Sequence, residues 1–134
     1  MTRGRLPVRQ RILPAAAVLV AWPLSRLRPY DLRIVLERLR CGARPACFDE
    51  ALAARDAVVS VSSSCAGQGC LQRSIAAALL CRFRGSWPTW QSGVRTEPFS
   101  AHAWIEVDGV AVGEPHPAGY FYPIMSVTPP SLYL

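Results

Sequence analysis

A chain of 134 residues suits one domain with a single core. Its hydrophobic content of 51% excludes a disordered tail, and twelve prolines imply many breaks between elements. Five cysteines, an odd number without regular spacing, exclude a disulfide framework. All fifteen basic residues are Arg, which reads as compositional bias, and the net charge is +6. That charge is uneven. Residues 1–48 hold ten Arg against Asp31 and Glu37, a balance of +8, whereas residues 49–134 balance at −2. A basic front half suits an acidic protein, a membrane surface or nucleic acid, or is a set of solvated helix faces.

Arg3, Arg5, Arg9 and Arg11 precede the apolar run Ile12–Trp22. The pattern has the outline of a signal peptide, but no small-x-small cleavage site follows, and eleven residues are too few to span a bilayer. The run is expected to be a packed or surface helix over about 14–22, opened by Pro14, in a cytoplasmic protein, with residues 1–11 frayed. Pro29 and Asp31 open a second helix, in which Leu32, Val35, Leu36 and Leu39 recur at helical spacing until Gly42 and Pro45 end it. Asp49 or Glu50 opens a third over Ala51–Val59, with Arg55 and Asp56 turned outward. These helices name no chemistry.

The next stretch does. Small residues (Ser62–Ser64, Gly67, Gly69) lead to Cys70, and the helix formers Ile75–Leu80 carry the chain away. Cys70 thus sits where a loop becomes a helix, where N–H groups and the helix dipole favour a thiolate. Cys81, in the helix body, is expected to be packing. Beyond Gly85 and Pro88, Trp87–Arg95 reads as a strand with Trp87 and Trp90 in the core. Phe99–Val107 then alternates, with Phe99, Ala101, Ala103, Ile105 and Val107 on one face and Ser100, His102, Trp104 and Glu106 on the other. Asp108-Gly109 signals a hairpin, with Val110–Glu114 returning antiparallel. A last apolar segment begins at Tyr120–Tyr122.

A helix-borne Cys70 followed by a strand-borne His102 is the order of a cysteine acyl-transfer enzyme. The bland readings are a buried small thiol and a satisfied core histidine; the pairing of the two favours catalysis. Cys41, Cys47, Cys65 and Cys70, with five, seventeen and four residues between them, lack a C-x-x-C pair, so no metal is expected. For the acid that orients His102, Glu106 and Asp108 lie more than about 10 Å along the same strand. Glu114 is nearer but subject to parity. A two-residue turn sets it opposite Ala103, on the wrong face; a three-residue turn or a bulge sets it opposite Trp104 and diagonal to His102. Glu114 is the expected third member.

Cys70-Leu71-Gln72-Arg73-Ser74 with its Ala/Leu helix, then Gly93-Val94, Ala101–Glu106 and Gly113-Glu114, resembles the lasso-peptide leader peptidases, the transglutaminase-like B proteins of lasso-peptide biosynthesis. The likeness covers about residues 50–128. It implies an α+β fold of transglutaminase-like, or papain-like, type: a helical segment 1–48 packed on or docking to a core 49–134, all one domain, with the nucleophile at a helix N-terminus and His102 on an antiparallel sheet. It implies a Cys-His-Asp triad, whose first two members fall on Cys70 and His102 and whose Asp falls nearest Glu114. The implied reaction is hydrolytic removal of the leader from a ribosomal precursor peptide, without a cofactor, beside an ATP-dependent cyclase.

The Cys70 N–H can face the oxyanion, with Gln68 as a second donor by proximity and Trp104 as an oxyanion or substrate contact. A separate leader-recognition protein is expected as partner, because the front helices offer no sheet edge for strand addition. Nucleic acid is not expected; a peripheral membrane contact is a further option for the Arg-rich front. The rival readings are an acyltransferase that passes the acyl group to an amine, and a non-enzymatic basic scaffold.

Overall fold

The computed structural model describes residues 8–61, 70–96, 98–114 and 119–130, with side chains from Arg11. Among the described residues four helices, α1 (Val8–Leu24), α2 (Pro29–Leu39), α3 (Phe48–Val61) and α4 (Cys70–Phe83), accompany six strands. The strands are β1 (Arg44–Pro45), β2 (Ser86–Trp87), β3 (Thr89–Thr96), β4 (Phe99–Val107), β5 (Val110–Ala111) and β6 (Tyr122–Val127). The fold is α+β. Among the described residues no helix is long and apolar enough to cross a membrane.

α4 is the axis. Every residue from Arg73 to Cys81 is buried, as expected of a helix apolar on all sides and covered on all sides. α1 and α3 pack on one side of it and the sheet on the other. The helix contacts are built from alanines: Ala17 and Ala21 of α1, Ala51 and Ala54 of α3, and Ala76, Ala77 and Ala78 of α4 are all at 0% exposure. Small side chains let the axes approach, so a helix with little side-chain bulk still fills its surroundings.

The main sheet is antiparallel in the order β5-β4-β3-β6. Trp90, Ile105 and Val127 lie side by side across it and face α4. Two indoles tie this core together: Trp90 Nε1 donates to Ser74 Oγ at 3.0 Å and Trp87 Nε1 to the Val127 carbonyl at 3.1 Å. β4 spans the nine residues whose alternation announces it, and Ala103, Ile105 and Val107 are buried on its inner face.

Several elements depart from expectation. α1 begins at Val8, so residues 8–11 are helical, and Pro14 lies inside it, fully buried. Pro14 forfeits one helical hydrogen bond, and its ring is covered by the core. α3 starts three residues early, at Phe48. Pro88 divides the expected Trp87–Arg95 strand: Ser86 and Trp87 instead pair in parallel with Arg44 and Pro45 in a second, two-stranded sheet. β5 ends at Ala111 rather than Glu114.

Candidate active site

Cys70 is the first residue of α4, and its sulfur is half-buried beside His102. His102 projects from β4, where its strand neighbour on β3 is Gly93. The absent side chain matters there. A Cβ on Gly93 would lie 2.6 Å from the Tyr122 carbonyl oxygen and 3.0 Å from the Trp104 ring. Gly93 therefore lets β6 and Trp104 close around the imidazole. Trp104 stacks on His102 with centroids 5.8 Å apart, and Phe121 approaches from another side at 4.9 Å.

Glu114 reaches His102 by a route the parity argument did not contain. The turn does have two residues, with Asp108 at φ 52° and Gly109 at φ 80°, and Val107 pairs with Val110. Continued, that register sets Glu114 opposite Ala103. Neither a third turn residue nor a bulge corrects it. The strand simply stops: Val112 N–H bonds the Ile105 carbonyl at 2.9 Å, and Gly113 then turns the chain at φ 69°. Glu114 Oε1 consequently lies 2.5 Å from His102 Nε2, with the two side chains 6% and 14% exposed. With Nε2 taken by the carboxylate, the ring presents Nδ1 to the thiol.

Ending β5 early also supplies a donor that the sequence reading did not name. Main-chain groups alternate in direction along a strand, so Ala103 points to the same edge as Ile105. β5 no longer covers that edge, and the Ala103 N–H there favours the Cys70 thiolate.

Two arginines stand behind the carboxylate. Arg55 of α3, expected outward, is turned in: its side chain is 19% exposed and its Nε lies 3.9 Å from Glu114 Oε2. Its stem runs so close over Gly113 that a Cβ there would be 2.7 Å from Arg55 Cδ. Arg73, 8% exposed within α4, lines the same small void with Arg55, Ala103 and Glu114. An inward arginine has the same polar appearance in sequence as an outward one, and only the acid across the core distinguishes them.

The electrostatics follow from these contacts. The hydrogen bond from His102 draws the Cys70 thiol below its ordinary value; burial opposes this, and the Ala103 N–H and the positive charges of His102 and Arg73 assist. His102 is raised to about 9, by its hydrogen bonds to Cys70 and then to Glu114, against burial. Burial pushes Glu114 up, yet the His102 hydrogen bond and the charges of His102, Arg73 and Arg55 outweigh it and hold the carboxyl low. The three shifts all run toward thiolate, imidazolium and carboxylate in a row.

A cleft of about 520 Å³ opens on the outer face of the sheet, with His102, Trp104, Glu106, Glu114 and Phe121 among its walls. Trp104 Nε1 donates to Glu106 Oε1 at 3.0 Å, so its indole N–H is spent there rather than at Cys70. Gln68 and Cys65 lie outside the described residues, so nothing is said of Gln68 as a second oxyanion donor. Cys81 is 2% exposed near the far end of α4.

A thiol at a helix head, an imidazole on an antiparallel strand and an acid beyond it define the cysteine–histidine class of α+β folds, in which a thiolate can attack a carbonyl. The family model described as the transglutaminase-like superfamily matches residues 15–126, and the chain belongs to that superfamily. Its members are usually cysteine-dependent enzymes. No match was found among curated proteins or among solved structures.

Proposed function

We propose that the chain is a cysteine peptidase that removes the leader from a ribosomally made lasso-peptide precursor. The observation that carries this reading is the line of contacts Cys70–His102–Glu114 at the head of a buried helix. It occurs in a chain whose segments around Cys70, Gly93, His102 and Glu114 resemble the leader peptidases.

In this reading the Cys70 thiolate attacks the scissile carbonyl, and its own N–H at the helix head stabilises the oxyanion. His102 passes its proton to the amine nitrogen as the C–N bond breaks, leaving a thioester. His102 then takes a proton from water, the hydroxide adds to the thioester, and Cys70 leaves as thiolate with the leader acid released. Glu114 acts as the orienter, holding Nε2 so that Nδ1 faces the sulfur.

A separate leader-recognition protein delivers the substrate, and an ATP-dependent cyclase takes the released core peptide. α1 supports such docking. It buries Ala17 and Ala21 against α4 and α3 but leaves Ile12, Leu19 and Trp22 exposed by 55–73%, in a front half balanced at +8. A delivery protein with an acidic rim complements that surface, whereas a second copy brings Arg against Arg.

The test is mass spectrometry of candidate precursor peptides incubated with the chain, alone and with the recognition protein. Cys70-dependent release of leader acid and core amine is the expected result, strongly accelerated by the partner and weakened by salt. Transfer of the leader acyl group to an added amine instead defines an acyltransferase. Absence of any Cys70-dependent product overturns the reading.

A further inference from the structure

The cleft continues well past the His102–Glu114 pair. It follows the outer face of β4 to Glu106 and Val110. Among the described residues, His102 forms part of its wall and Cys70 does not. This geometry assigns a polarity. The group protonated by His102 is the departing amine, and the peptide attached to that amine extends on the His102 side of the sulfur.

We propose that the cleft seats the segment following the scissile bond, and that Glu106 selects a basic side chain within it. The assignment rests on the peptidase reading for its polarity and on the cleft itself for its chemistry. Glu106 Oε1 accepts the Trp104 indole N–H at 3.0 Å, which fixes the carboxylate against the wall. Among the described residues Glu106 has no ion-pair partner. No Arg side chain among the described residues lines this cleft, whose charged walls are Glu106, Glu114 and His102. Glu114 is engaged with His102, so Glu106 is the carboxylate left to meet a ligand.

Tyr120 and Phe121 close the opposite wall, where the Arg95 guanidinium lies over the Tyr120 ring at 4.0 Å. Glu106 lies four positions beyond His102, about 13 Å along an extended strand. A substrate lying extended beside β4 covers that span in about four residues, so the basic side chain belongs near the fourth position after the cut.

The experiment uses the Cys70→Ala protein, which separates binding from chemistry. Two hexapeptides with free amino termini, alike except for Lys or Glu at the fourth position, are titrated while the Trp104 indole N–H is followed by NMR. The Lys peptide is expected to shift that signal and bind about fivefold more tightly. Glu106→Gln keeps an acceptor for Trp104 but removes the charge, and is expected to level the two affinities. Absence of binding, equal binding of the two peptides, or a Lys preference that survives Glu106→Gln overturns the proposal. Lys-selective binding by a chain that cleaves no precursor retains the cation site and discards the peptidase reading, so the two failures are distinct.

Discussion

α4 carries a cysteine near each end, and the two thiols share a helix but not an environment. Cys70 heads the helix, half-buried, with the His102 ring and the Ala103 N–H on its sulfur. Cys81 lies eleven residues on, 2% exposed among apolar side chains, and burial pushes its thiol up to about 12. The same burial that silences Cys81 also acts on Cys70, where charged and hydrogen-bonding neighbours overcome it. Reactivity in this fold is therefore set by what the sheet brings to the helix head, not by the helix alone.

The contrast breaks most completely at the sulfur. Cys70→Ala is expected to abolish cleavage and to remove the fastest alkylation by iodoacetamide, with circular dichroism unchanged. If Cys81→Ala has that effect and Cys70→Ala does not, the assignment of the nucleophile is wrong.

Removing the imidazole comes next. His102→Ala is expected to lower the rate about a hundredfold or more. It also returns Cys70 toward an ordinary thiol, so alkylation at neutral pH slows. In the intact chain the active ion pair exists between the lowered Cys70 value and the His102 value of about 9. Activity should rise as Cys70 deprotonates and fall as His102 loses its proton near 9. A profile that keeps rising beyond that point excludes His102 as the proton donor.

Glu114→Gln tests the next link. The carboxylate favours the protonated ring, so its loss lowers the His102 value from about 9 toward the ordinary 6.5, and the alkaline limb moves to lower pH. The rate is expected to fall about tenfold, less than on loss of the ring itself. An unmoved alkaline limb transfers the orienting role to another group.

Gly113→Ala is smaller and acts on stability first. A side chain at φ 69° is strained, and its Cβ meets Arg55 Cδ at 2.7 Å, so unfolding should show a loss of about 1–3 kcal/mol. The displaced Arg55 and Glu114 also reduce activity, whereas a pure stability defect leaves the rate per folded molecule unchanged. Smallest is Cys81→Ala, which trims a packed side chain at a cost of about 1 kcal/mol and leaves cleavage intact. Loss of activity there, with the fold preserved, removes the distinction between the two ends of α4.

Much of the site was legible in local pattern. The shift from small, flexible residues to Ala and Leu located the head of α4 at Cys70, because propensity changes abruptly there. The alternation of Phe99–Val107 located β4 and put His102 and Trp104 on one face, since a pleated strand leaves no other choice. Asp108-Gly109 located the hairpin turn though not its length, for it readily supplies two positive φ angles in succession.

What local pattern could not reach were contacts between elements distant in the chain. Parity read along the hairpin put Glu114 on the wrong face unless the turn lengthened, because the argument assumed a strand that continues. Arg55 on α3 prevents a side chain at position 113, and Gly113 turns the chain beside it, so the acid arrives through a helix more than fifty residues earlier. The inward turn of Arg55, the Ala103 N–H exposed by the short β5, and the sheathing of α4 by alanines on two other helices share one cause. Each depends on which surfaces meet, and a sequence states what a segment prefers but not what will be packed against it.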